Sequence, residues 1–218
     1  MMREFTIDAN GSRVSAILER PAGAAWLLVL AHGAGAGMRH PFMEAVAAVL
    51  ATRAIATLRY QFPYMEAGGR RPDRPAVAQA TVRAAVQAAA AGVPDLPLLA
   101  GGKSFGGRMT SQAAAAEPLP GVRGIVFFGF PLHPARRPSD ERAAHLHDVS
   151  VPTLFLQGTR DALADLDLLR PVVAATSATL HVLDGADHSF HVLKRSGRTD
   201  AGILDELADT VAAWASRL

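Results

Sequence analysis

The sequence predicts an α/β protein: a doubly wound, mostly parallel sheet with helices on both sides, led by one antiparallel hairpin. Three observations carry that prediction. Asn10-Gly11 joins two short strand-like runs, and Asn-Gly is a strong hairpin signal. From Trp26 onward the chain repeats a strand-then-helix pattern, the order that builds parallel sheets. The strand-like runs are continuously apolar, as expected of strands covered on both faces. The 218 residues suit one α/β domain, 1–218, and suffice for a real core. No internal repeat, second domain or insertion long enough for a separate lid is visible.

Taken in order, residues 4–7 and 12–20 read as the hairpin strands, closed by Pro21-Ala22-Gly23. Residues 26–31 read as a buried strand, followed by the loop His32-Gly33-Ala34-Gly35-Ala36-Gly37. Residues 41–53 carry a helical stripe at Phe42, Val46, Val49 and Leu50, with Pro41 in the first turn. A strand at 54–58 leads into a loop over 59–74, long for a connection of this kind, and long loops are often functional. Residues 75–91 are an Ala-rich helix stopped by Gly92 and Pro94. An apolar run at 96–100 and a helix over 108–116 flank a Gly-rich turn. A strand at 124–130, a Pro- and Arg-rich loop at 131–139 and a short helix at 140–147 follow. Residues 151–158 are a strand, and 164–176 a helix interrupted or restarted at Pro171. Residues 178–183 form the last strand, and Ile203, Leu204, Leu207, Val211 and Trp214 give a final helix its apolar face.

Composition removes several function classes. Half of the chain is hydrophobic, and nothing in it is low-complexity. There is no cysteine, hence no disulfide, no Cys-ligated metal and no Cys nucleophile. Residues 1–6 lack the apolar centre of a signal peptide, and the longest apolar run, 24–31, is too short to span a bilayer. The expectation is a soluble cytoplasmic protein without a membrane partner. Net charge is +2. Arg70, Arg71 and Arg74 cluster, as do Arg136 and Arg137, but no basic stripe is interleaved with aromatics. These read as solvated loop faces, and no nucleic-acid partner is expected.

The Gly-rich turn contains G-x-S-x-G as Gly102, Ser104 and Gly106, between a strand and a helix. That is the context of a nucleophile elbow, a strained turn that exposes a serine at the top of a sheet. The residues two before and two after the serine crowd each other and must be nearly side-chain-free. A phosphate-binding P-loop ending at Lys103-Ser104 fails, because Pro97 occupies the required glycine position. A plain glycine turn with an inert serine is the remaining competitor, and the rest of the chain decides against it. Asp161 follows one later strand and His188 follows the last. The order Ser, Asp, His at three strand ends is that of α/β-hydrolases. In such a set the histidine takes the serine proton and the acid orients the histidine. Asp184 and Asp187 are rival acids, but Asp161 follows a separate strand.

An oxyanion needs two backbone N–H donors. The amide of Phe105, next after the serine, is one. Ala34, on the loop after the first buried strand, is favoured for the other, with Gly33 and Gly35 as close rivals. His32 reads as a loop-orienting residue. A dinucleotide reading of this loop fails, because G-x-G-x-x-G ends on Met38 or His40. Phe62 and Tyr64 lie on the long loop at the same edge, and Leu132 follows another strand end. Two readings stand for them: lining a substrate pocket, or packing their loops. Lys103 stands between drawing anionic substrates and pairing with a carboxylate. His133, His145 and His147 lack the carboxylate spacing of a metal site, so no metal is expected.

Six segments together carry a resemblance: His32-Gly33-Ala34-Gly35, Phe62-Pro63-Tyr64-Met65-Glu66, Gly102-Lys103-Ser104-Phe105-Gly106-Gly107-Arg108, Gly129-Phe130-Pro131-Leu132-His133-Pro134, Leu156-Gln157-Gly158-Thr159-Arg160-Asp161 and Gly185-Ala186-Asp187-His188-Ser189-Phe190. The chain resembles a small group of predicted α/β-hydrolases that includes bacterial proteins, a testis-expressed animal protein and the hydrolase-like part of a chromatin-complex subunit. The group is distantly similar to dienelactone hydrolases. The resemblance implies the fold and the triad Ser104, Asp161 and His188, without a substrate. The absence of cysteine means that the thiol chemistry of dienelactone hydrolases does not carry over. The expectation is a serine hydrolase of a carboxylic ester or similar small acyl compound, working through an acyl-enzyme without cofactor or metal. The alternatives are a non-catalytic scaffold on the same fold, as in relatives that act in complexes, and acyl transfer to an acceptor other than water.

Overall fold

The computed structural model of the chain describes residues 1–176 and 178–218. Its frame is an 8-stranded sheet in the order β1-β2-β4-β3-β5-β6-β7-β8. Strands β1 (Met2–Ala9) and β2 (Ser12–Glu19) form the antiparallel hairpin, turned at Asn10 and Gly11. Both turn residues have positive φ, 53° and 84°, which explains why Asn-Gly occupies them. Strand β2 pairs antiparallel with β4 (Ile55–Tyr60). From there every neighbour is parallel, through β3 (Trp26–Ala31), β5 (Leu98–Lys103), β6 (Val122–Phe128), β7 (Thr153–Gly158) and β8 (Thr179–Leu183).

The period of two along each buried strand divides the core into two layers. Leu28, Leu30, Leu99, Val126 and Leu154 face helices α1 (Pro41–Ala51) and α6 (Asp200–Ala215), meeting Met43, Val46, Leu207 and Trp214. Leu27, Val29, Ala100, Ile125 and Phe155 face the other side, with Val82 and Val86 of α3 (Pro75–Gly92), Met109 of α4 (Phe105–Ala116) and Leu169 of α5 (Leu166–Ala175). The inner strands β3 and β7 are largely apolar because both faces are covered. Pro75 sits in the first turn of α3, where its missing N–H is no loss. The side chain of Asp165 caps α5 by accepting from the Asp167 N–H, and Pro171 lies inside that helix without ending it. No inserted lid domain is present among the described residues.

Element edges differ from the sequence expectation where a polar or glycine residue is misleading. Strand β4 runs on to Tyr60, because Arg59 is buried with its charge paired to Glu19 at 3.3 Å and is not the start of a loop. A short helix, α2 (Pro63–Glu66), interrupts the expected long loop. Strand β6 ends at Phe128, because Gly129 turns the chain with φ 72° and the Phe130 N–H leaves the ladder for Gln157. Residues Glu141–Asp148 are 3₁₀-helical, where the sequence suggests an ordinary short helix.

Candidate active site

Strand β5 continues to Lys103 and α4 begins at Phe105, so Ser104 alone makes the turn between them. Its φ of 50° and ψ of −113° are strained for a residue with a side chain. Glycine is required on either side. A Cβ on Gly102 would lie 2.5 Å from the Ala31 carbonyl oxygen, and one on Gly106 would lie 2.6 Å from those of Ala31 and His32. The elbow is wedged against the end of β3, which brings the loop after β3 over the serine.

Ser104 Oγ lies 2.9 Å from His188 Nε2, and His188 Nδ1 lies 2.7 Å from Asp161 Oδ2. The three residues arrive from the ends of β5, β7 and β8. The Asp161 side chain is 1% exposed, against 24% for His188. Burial of a carboxylate demands donors. Asp161 Oδ1 accepts from the Leu163 N–H at 2.7 Å, and Oδ2 also accepts from the Gln157 side-chain amide. Gln157 is oriented in turn by the Phe130 N–H, which donates to its Oε1 at 3.0 Å. The rival acids are engaged elsewhere. Asp187 Oδ1 accepts from the Ser189 and His191 amides, and Asp184 lies 3.4 Å from the Thr159 hydroxyl. A Cβ on Gly158 would lie 2.2 Å from the Ala186 carbonyl oxygen, so the acid and base loops are in direct backbone contact.

The loop after β3 is fixed from below. His32 is fully buried, its Nε2 accepts from the Phe62 N–H at 3.1 Å, and its Nδ1 faces the Gly33 carbonyl at 2.7 Å. Burial pushes its pKa down to about 4, so it stays neutral and serves as a strut. The Gly35 N–H donates to the Tyr64 hydroxyl at 2.9 Å, which removes Gly35 as an oxyanion donor. Among the described residues, the amides of Gly33, Ala34 and Phe105 have no hydrogen-bond partner, so Gly33 stays beside Ala34 as a candidate donor from this loop. Gly33 closes over the site, where a Cβ would lie 3.9 Å from that of Ser104.

The structure does not bring Phe62, Tyr64 or Leu132 into the cavity beside Ser104. Phe62 and Leu132 are fully buried, and Tyr64 is nearly so. Phe62 packs edge-on against His32, and Tyr64 supports Gly35, so both brace the loop from behind. Of the two readings for these residues, the geometry agrees with packing. The cavity, about 350 Å³, is lined by Ala34, Phe42, Met43, Lys103, Leu163 and His188 among others. Phe42, Met43 and Leu163 were not singled out by the sequence. Phe42 sits in the apolar stripe of α1 and reads as core, and Leu163 shows only by its place just after Asp161. Two of the histidines for which no metal role is expected, His133 and His145, make other contacts. His133 Nε2 accepts from the Asp165 N–H, and His145 Nε2 meets the Ser111 hydroxyl. Among the described residues, no group of three His, Asp or Glu is placed to hold a metal ion. No helix among them is long and apolar enough to cross a membrane.

A mostly parallel sheet with a strained strand-to-helix serine turn at its carboxyl edge is the architecture of α/β-hydrolases. Residues 24–216 match the family model described as an alpha/beta hydrolase domain, and the chain belongs to that family. Among solved structures it is similar to a dienelactone hydrolase from Anabaena variabilis, with TM-score 0.78, 21% identity, and coverage of 100% of this chain and 97% of that one. It is similar to a Xanthomonas campestris protein described as an α/β serine hydrolase without lid, at TM-score 0.76 and 21% identity, covering 98% and 94%. An esterase domain from Rhodothermus marinus aligns at TM-score 0.75 and 18% identity, over 100% and 98%. At these identities the likeness is one of fold. The family and the fold together make a hydrolase the functional class of this chain.

Proposed function

We propose that the protein is a serine hydrolase that cleaves a carboxylic ester or a similar small acyl compound through an acyl-enzyme. The observation that carries this reading is the continuous relay from Ser104 Oγ through His188 to the buried Asp161. Ser104 attacks the acyl carbon while His188 Nε2 accepts its proton. Asp161 holds the imidazole in the tautomer with Nδ1 protonated and stabilises the imidazolium. The amides of Phe105 and Ala34 receive the oxyanion, a role supported by each being free of any competing acceptor among the described residues. His188 then returns the proton to the leaving group. Water next attacks the acyl carbon as His188 takes its proton, and His188 passes that proton to Ser104 Oγ as the acyl–serine bond breaks.

The cavity is at the small end for ligand sites and is walled by apolar side chains, which favours short acyl groups. A fluorophosphonate probe tests the chemistry directly. Wild-type protein is expected to label and Ser104→Ala to remain unlabelled while folded. Equal labelling of the two, or none of folded wild type, rejects the proposal. A panel of p-nitrophenyl esters of increasing acyl length then measures the pocket, with turnover expected to fall as the chain outgrows it.

A further inference from the structure

Lys103 is the residue inside the elbow that the relay leaves unexplained. Among the described residues its ammonium pairs with no carboxylate. Its stem runs under the oxyanion loop, where a Cβ on Gly33 would lie 3.5 Å from its Cγ. The residue as a whole is partly buried, but the head group is enclosed and donates to the backbone carbonyl of His188. The rings of Phe42 and Phe190 are stacked on each other and lie 5.7 and 4.9 Å from Nζ. Gly129 leaves room for the arrangement, since a Cβ there would lie 3.0 Å from Nζ and 3.5 Å from the His188 ring.

The segment that Lys103 grips is itself strained. Phe190 has φ 65°, a costly backbone for a bulky aromatic that persists only when its surroundings enforce it. The Phe190 N–H donates to the Asp187 carbonyl, and the Asp187 N–H donates to that of His191, so 187–191 form one tight turn. The His188 carbonyl projects from this turn toward β5, and Lys103 is the side chain that meets it.

We propose that Lys103 is a positioning residue: its charged head holds the turn that carries His188 at a fixed distance from the serine that follows Lys103 in the chain. Its catalytic meaning rests on the hydrolase reading above. A charged donor suits the task. Charge-assisted hydrogen bonds are roughly twice as strong as neutral ones. The two aromatic faces favour a cation and disfavour a bare polar group. The head group gives one hydrogen bond, to the His188 carbonyl, and lies against both rings, while Lys103 also lines the cavity.

The grip depends on pH. Burial pushes the Lys103 ammonium down to about 8, and the carboxylates of Asp161 and Asp187 oppose that fall. The other titratable groups facing this corner are His188 and, across the cavity, His40. The charged form predominates below about 8 and is lost as the pH rises through it. A neutral amine still donates, but without the charge-assisted part.

The test compares wild type, Lys103→Met and Lys103→Arg by hydrogen–deuterium exchange over 184–192 and by ester turnover. In folded K103M the turn is expected to exchange faster, and kcat to fall by about tenfold to a hundredfold with KM little changed. K103R is expected to recover part of both. Wild-type kcat is expected to decline above about pH 8, a limb absent from K103M. Unchanged exchange in K103M overturns the proposal. So does a raised KM at constant kcat, which would make Lys103 a substrate contact. If K103M does not fold, K103R and the wild-type pH limb decide, and a flat limb with unchanged K103R overturns it. If no ester is turned over, the exchange arm still decides the positioning role, and only the hydrolase reading falls.

Discussion

Asp161 is the residue whose surroundings say most about its role. Its two oxygens receive the Leu163 amide, the Gln157 amide group and His188 Nδ1. Asparagine keeps the volume but turns one acceptor into a donor, which must then face another donor. Asp161→Asn is expected to leave the fold intact and reduce kcat by about 10⁴, as for a triad acid elsewhere. Steady-state kinetics beside Asp184→Asn, expected near wild type, checks the assignment. Near-normal turnover in D161N would move the acid role to another carboxylate. That Asp161, Ser104 and His188 lie together could be read from the sequence, because chain order and strand ends announce it. Phe62, Tyr64 and Leu132 could not be separated from pocket residues, because an aromatic or aliphatic side chain after a strand looks the same whether it faces ligand or backbone. Gln157 stands in the sequence only as part of the segment before Asp161 that carries the resemblance, with no role attached to it. Its contribution lies in joining Phe130 to Asp161, a contact only the folded chain creates.

At the level of elements, β5 admits no side chain at Gly101. A Cβ on Gly101 would lie 2.1 Å from the Val126 carbonyl oxygen, inside the ladder between β5 and β6. The neighbour is backbone and cannot swing away. Gly101→Ala is therefore expected to destabilise the protein by about 3 kcal/mol or more. Urea unfolding checks this, and a loss below about 1 kcal/mol would show that the sheet can part there. The sequence made the strands and long helices plain, since continuous apolar runs and helical stripes follow directly from covering both faces of one sheet. It obscured element ends. Arg59 looked like a loop residue because its partner Glu19 belongs to a strand 40 residues earlier. Helix α2 is one turn long, too short for its periodicity to show.

For the molecule as a whole, buried neutral histidines set the acid limit. His32 and His145 are both pushed down to about 4, chiefly by burial. An unfolded histidine binds its proton near 6.5, so between those values the unfolded chain holds more protons than the folded one. Stability is complete above about 6.5 and drains as the pH falls toward 4, by on the order of 3 kcal/mol from His32 alone. Asp95, Asp200 and Asp209 are held low by Arg20, His191 and Arg53 respectively, and act only at lower pH. Urea midpoints at pH 7, 5.5 and 4.5 should fall in sequence, and a flat series would show that neither histidine is shielded. The close packing of acid, base and oxyanion loops has one more consequence. Ser104 and His188 are 84 residues apart in the chain, and Asp161 and His188 are 27 apart. They meet only after the non-local strand pairs of the sheet have closed, the slow part of assembling such a topology. A half-made chain carries its serine with no base beside it. The chemistry proposed here therefore depends on the assembled sheet, and a chain whose β7 and β8 have not yet joined it lacks the relay.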